Sequence, residues 1–223
     1  MRAIVVHTPE AVSVSYAEKT FKSLRDHKGW DPEFMLGVTP DTLKLWTDLF
    51  PFPLQRGSRL SAFKTNNPRA FPFKRSCAIN HYRFYQMVLA EGSPMAFIEN
   101  DAVCLRDWDV EEFEGVLALN IISAERSMRS SHGQEVPHLL PGINPWTFGF
   151  CKCRHHFQSG HHILGTASYV ITVEGARKMA SVVESLGWEQ SDIQTNSNHI
   201  PINYVTPEYF SFHSPNLKAS HGF

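Results

Sequence analysis

The segment Phe97-Ile98-Glu99-Asn100-Asp101-Ala102-Val103 places two carboxylates at i and i+2, just beyond a short apolar run. On an extended chain, side chains two apart share a face; a turn at Asn100 would change that. Carboxylates so placed can hold a divalent cation together with the phosphates of a nucleotide. Such a cation neutralises charge that develops on a departing diphosphate. The same residues can form an acidic turn that caps the next element, since Asp and Asn favour such positions. Spacing alone leaves both readings open.

Other residue groups carry chemistry of their own. From 49 to 90 there is no Asp or Glu, while Arg56, Arg59, Lys64, Arg69, Lys74, Arg75 and Arg83 all fall there. A basic block in a protein of net charge −1 suits a phosphate-bearing ligand: a nucleotide, a nucleotide sugar or a nucleic acid. A solvated loop that balances acids elsewhere suits it as well. Lys74 and Arg75 could grip a diphosphate, by monodentate and bidentate contacts respectively, or stay as solvated loop charges. His81 is either a core imidazole bonded to backbone or a site residue. Between His132 and His162 lie six of the 12 His, with Cys151 and Cys153 among them. Sulfur and imidazole at that density can bind zinc tetrahedrally. The Cys-x-Cys spacing is unusual for zinc, so a loop using some His for phosphate or sugar contacts, or a merely polar loop, also fits.

The elements that position these residues follow from periodicity. A β-branched apolar run at 3–6 predicts a buried strand, and 13–27 has helical spacing with Ala17, Phe21 and Leu24 on one face. A second strand is expected at 33–38. Pro40 and Asp41 open a helix whose stripe is Leu45, Trp46, Leu49 and Phe50. Proline, Gly57 and Asn66-Asn67 make 51–72 a loop or lid. The next helix is expected at 78–90, ended by Gly92. Short strands are expected at 95–98, 116–122 and 166–173, a helix at 174–186, a short turn or helix from Asp192, and strands around 202–205 and 209–212. Strands alternating with helices point to an α/β fold with a mainly parallel central sheet.

Composition narrows the class. The chain has 223 residues, 42% of them hydrophobic, 19% charged and 12% aromatic, which suits one folded domain and excludes a disordered chain. No apolar run approaches the ~20 residues that span a bilayer. The start Met1-Arg2-Ala3-Ile4-Val5-Val6-His7 is too short in apolar residues for a signal-peptide core, so a cytoplasmic protein is expected. Four Cys do not make a disulfide scaffold.

Three blocks, in order, resemble glycosyltransferase family 25, which includes lipopolysaccharide and collagen glycosyltransferases. Ser76-Cys77-Ala78-Ile79-Asn80-His81 is similar to its Gly-Cys, two or three residues, Ser-His pattern. Ile98-Glu99-Asn100-Asp101-Ala102 is similar to its Leu-Glu-Asp-Asp-Ala. The stretch Gly165-Thr166-Ala167-Ser168-Tyr169-Val170-Ile171-Thr172-Val173-Glu174-Gly175-Ala176 is similar to its Gly-Thr-x-x-Tyr-x-x-Ser-x-x-Gly-Ala. The departures are Asn100 for a carboxylate, Asn80 for Ser, Ser76 for Gly and Thr172 for Ser.

The resemblance implies a single GT-A-like domain over 1–223, with a basic loop at 51–75 and a His/Cys-rich loop at 127–162. It implies a nucleotide-sugar donor, a UDP-sugar, and Mn²⁺ or Mg²⁺. Glu99 and Asp101 fall on its acidic metal motif, with His213 or His221 as a late ligand. Asn100 joins Lys74 and Arg75 on the donor side, and Asp192 and His81 fall at catalytic positions. Compact phage members of this look make a modified base in DNA an acceptor to set beside a glycan. Two rivals stand: a non-enzymatic nucleic-acid-binding module with a zinc-stabilised Cys/His loop, and a degenerate transferase that binds donor without turnover.

Overall fold

The computed structural model describes residues 1–121, 139–147, 150–151, 159–163 and 167–212. Strand β1 (Arg2–His7) is central to half of the sheet and is buried on both faces. Its side chains alternate: Ala3 and Val5 face one hydrophobic cluster, Ile4 the other. Strand β3 (Met95–Glu99) does the same, with Ala96 and Ile98 on the first side and Met95 and Phe97 on the second. Double burial explains why both read as continuous apolar runs.

The seven-stranded sheet has the order β2-β1-β3-β9-β5-β10-β6. Its other members are β2 (Asp31–Leu36), β5 (Val116–Ala118), β6 (Gly142–Pro145), β9 (Ser168–Ile171) and β10 (Ile202–Thr206). Strands β2, β1, β3, β5 and β10 run one way; β9 and β6 run the other. The expected α/β fold on a mainly parallel sheet is met. Two small antiparallel pairs flank it: β4 (Ala102–Cys104) with β11 (Phe210–Phe212), and β7 (Phe150–Cys151) with β8 (Gly160–His161).

Helix α1 (Ala11–Arg25) covers one face through Ala17 and Leu24. Helices α4 (Phe71–Glu91) and α5 (Val173–Leu186) cover the other and pack on each other. Helix α5 is capped by Thr172, whose side chain accepts from the Gly175 amide at 3.0 Å. Gly92 ends α4 at φ 71°, the left-handed conformation that glycine adopts without strain.

Three expectations are corrected. The 51–75 stretch is not one loop: it holds α3 (Arg59–Asn66) and the first turn of α4. Ser58 caps α3, and Pro72 sits in the first turn of α4, where a missing N–H costs nothing. On helix α2 (Leu43–Leu49), Trp46 and Phe50 pack inward as expected, but Leu45 and Leu49 face solvent and Leu43 packs inward in their place. The helix expected at 78–90 begins seven residues earlier, at Phe71.

Candidate active site

Strands β1 and β3 are parallel and in step, with Val6 beside Glu99 at their carboxyl ends. The chain leaving β1 enters α1 on one face of the sheet and returns as β2. The chain reaching β3 arrives through α4 on the opposite face. Such a divergence opens a crevice beyond the strand ends, the usual ligand site of open α/β sheets. Here the crevice is a cavity of about 270 Å³. Its walls are the end of β1 (Val6, His7, Thr8), the start of α1 (Glu10, Val12, Ser13, Tyr16), the exit of β2 (Val38, Thr39, Pro40) and one side of α4 (Phe73, Ser76, Cys77, Asn80, His81). Phe97, Glu99, Asn100 and Asp101 complete it.

Backbone and side chains lock these walls together. The Gly37 amide donates to the His7 carbonyl at 2.7 Å. A Cβ on Gly37 would meet that oxygen and the Asn80 amide nitrogen, both at 3.2 Å, so a side chain there would push these neighbours apart by a few tenths of an ångström. Asn80 Oδ1 accepts from the Val38 amide at 2.7 Å, tying α4 to the exit of β2. The Thr20 hydroxyl donates to the Asn100 and Ala102 carbonyls, at 2.7 and 2.6 Å, tying α1 to the acidic turn.

Glu99 ends β3 and Asp101 lies within the turn that follows, so the two carboxylates do not share one extended strand. They still feel one another. Burial, then the charges of Asp101 and Asp192, push Glu99 up to about 8, against a smaller opposing pull from Lys74. Burial also raises Asp101. Asp101 is 7% exposed and its Oδ1 has no hydrogen-bond partner. A buried orphan acceptor costs about 1–3 kcal/mol, so it asks for a ligand. Two carboxylates with an open lone pair fit a hard divalent cation, which would need further ligands from phosphate or water. Among the described residues no group of three or more His, Cys, Asp or Glu forms a complete protein cage.

His81 is buried on α4, with Nδ1 2.8 Å from the Tyr169 hydroxyl and its ring stacked on Phe97. Burial lowers it to about 4, so it is neutral at pH 7. Asp192, at the start of α6 (Ser191–Gln194), is not a cavity wall, but its charge reaches Glu99, Cys77 and His81. Lys74, in the first turn of α4, does not line the cavity either, but its charge reaches Glu99 and Cys77. Arg75 lies elsewhere: its guanidinium carbon is 5.9 Å from the Phe71 ring centre, and it does not line the cavity. Asn100 lines the cavity, yet its amide is engaged with Ser13, at 2.9 Å to Oγ. His213 and most of the His/Cys-rich stretch lie outside the described residues, as does the start of the third resemblance block.

Sequence reasoning missed His7, Thr8, Ser13, Tyr16 and Ser76 as site walls. The one signal for the first two was their position at the end of an expected buried strand. Ser76 opens the first resemblance block, and nothing local marked Ser13 or Tyr16.

No family model and no curated protein matches the chain. Among solved structures it is similar to the galactosyltransferase LgtC in complex with donor and acceptor sugar analogs. The identity is 12% and the TM-score 0.43, over 92% of this chain and 73% of that one. A likeness that faint transfers no chemistry. Among the described residues, no helix is long and apolar enough to cross a membrane.

Proposed function

We propose that this chain is a glycosyltransferase that moves a sugar from a nucleotide-sugar donor, a UDP-sugar, to an acceptor hydroxyl. One observation carries the reading. A cavity at the divergence of β1 and β3 has a carboxylate pair, half-buried Glu99 and buried Asp101, at the strand end. The resemblance of three sequence blocks to a GT-A-type family supports the same reading, and the second block is that carboxylate pair.

Glu99 and Asp101 would hold Mn²⁺ or Mg²⁺, with His213 as the further ligand the resemblance implies. The cation supplies charge neutralisation for the departing diphosphate. The chain's own residues do the rest. Lys74 adds a positive charge on the acidic side of the site, where it already lowers Glu99. His81, neutral and bonded to Tyr169, shapes the wall beside Phe97. Asp192, whose charge acts on Glu99 and His81, is the group the resemblance offers to accept the acceptor's proton. Asn100 holds the acidic turn against α1. The acceptor is a glycan or a modified base in DNA. For DNA, the exposed Arg56, Arg59, Lys64 and Arg69 on and beside α3 supply phosphate contacts.

A thermal-shift screen of nucleotide sugars, with and without Mn²⁺, tests this reading. The expected result is a shift that needs both the metal and one donor. No shift with any donor removes it and returns the binding-module reading.

A further inference from the structure

Ser76 lies on the cavity side of α4, 4% exposed, with its Oγ buried and without a hydrogen-bond partner. A serine inside a helix ordinarily turns its hydroxyl back to the carbonyl four residues earlier. This one does not, and α4 is continuous there. Left alone, the hydroxyl costs the fold free energy and returns none. The other orphan atom of the same cavity is Asp101 Oδ1.

The surroundings define what would satisfy it. Cys77, the next residue, feels the charges of Glu99 and Asp192 and the opposing charge of Lys74. Burial keeps that thiol protonated, pushed up to about 12, so it is no nucleophile. A neutral group with several hydroxyls suits a wall of mixed charge: hydroxyls donate to carboxylates, and a serine Oγ both donates and accepts. A monosaccharide has that chemistry. A base would bring a flat ring and fewer donors.

We propose that Ser76 is a specificity-determining residue whose hydroxyl bonds a hydroxyl of the transferred sugar, not the nucleotide. This rests on the transferase reading. It also gives a reason for serine where the resembled family has glycine: the added Oγ narrows the cavity and selects sugars that present a hydroxyl there.

The experiment measures binding of UDP, UDP-glucose, UDP-galactose and UDP-N-acetylglucosamine, each with Mn²⁺, to the wild type, Ser76→Ala and Ser76→Gly. For the preferred UDP-sugar, both variants are expected to bind about tenfold more weakly, the worth of one hydrogen bond. UDP alone should bind within about twofold of the wild type. The ligand-free Ser76→Ala protein should melt no lower than the wild type, because an unsatisfied hydroxyl has been removed. Equal weakening for UDP and UDP-sugar would move the contact to the nucleotide and overturn the proposal. So would unchanged UDP-sugar affinity, or a clearly lowered melting temperature of ligand-free Ser76→Ala. A wild type that binds neither UDP nor any UDP-sugar overturns the transferase reading itself, a different result from wild-type binding that the variants do not alter.

Discussion

The Asn100 side-chain amide donates to both the hydroxyl and the carbonyl of Ser13, at 2.9 and 3.3 Å. The same Ser13 hydroxyl accepts from the Thr8 amide at 2.9 Å. One amide therefore joins the acidic turn after β3 to the start of α1 and, through it, to the end of β1. A carboxylate at position 100 could accept from the hydroxyl but could only repel the carbonyl. This explains why a chain with a strongly acidic turn carries Asn between Glu99 and Asp101.

Asn100→Asp is expected to destabilise the metal-free protein by about 1–3 kcal/mol, from the lost bond and a third nearby negative charge. That corresponds to a melting temperature lower by roughly 2–12 °C for a chain of this size. Urea unfolding at neutral pH measures it; a variant as stable as the wild type would contradict this account of Asn100.

Asp101→Asn keeps the shape and removes the charge. The metal-free protein should melt at the same temperature or slightly higher, because the repulsion with Glu99 is gone. Stabilisation by Mn²⁺ and turnover of the donor should both disappear. Retained Mn²⁺ stabilisation would take Asp101 out of the cation site.

Stability should fall between about pH 6.5 and 8.5 in metal-free protein. In the fold Glu99 is raised to about 8 from 4.5, so its contribution is whole below 4.5 and lost as pH rises through 8. Asp101 shifts in the same direction. His81 is lowered to about 4 from 6.5, so its contribution is present above 6.5 and lost as pH falls through 4. The two oppose each other at acid pH, and above 6.5 the carboxylates act alone. Glu99→Gln should flatten the fall in the melting curve, and Mn²⁺ stabilisation should grow across the same window as cation replaces proton. A wild-type melting temperature that rises across it would refute the assignment.

Glu189 is 1% exposed, and its carboxylate accepts from the Arg59, Leu60 and Gln190 amides at 2.7–3.3 Å. It holds the start of α3, so its buried charge has a structural purpose. Glu189→Gln should cost about 1–3 kcal/mol and leave Mn²⁺ binding intact. Loss of Mn²⁺ binding in a folded variant would instead join Glu189 to the site.

A DNA acceptor makes a distinct forecast. Four phosphate contacts by Arg56, Arg59, Lys64 and Arg69 would weaken binding about 100-fold between 50 and 200 mM salt. Arg56→Glu with Arg69→Glu should reduce that binding at least tenfold without moving the melting temperature. Anisotropy of labelled DNA reads both. Salt-insensitive or absent binding assigns the acceptor to a glycan.

Much of this was legible from the chain alone. The buried strands β1 and β3, helices α1 and α5, the stop at Gly92 and the acidic turn all follow from residues within one short window, where apolar period and turn chemistry act locally. Helix α3 did not, because its first turn is held by Glu189, 130 residues away from Arg59. Nor did the facing of α2, since period identifies a stripe but not which part of it meets Tyr82, as Phe50 does. The pair Glu99 and Asp101 could be named from sequence as metal ligands or as a turn. Which walls enclose them was decided by contacts between Gly37 and His7, Val38 and Asn80, and Ser13 and Asn100. Those contacts join segments that only sheet order brings together, so the sequence determined the chemistry available, and tertiary packing decided which groups share one cavity and which buried atoms there still lack a partner.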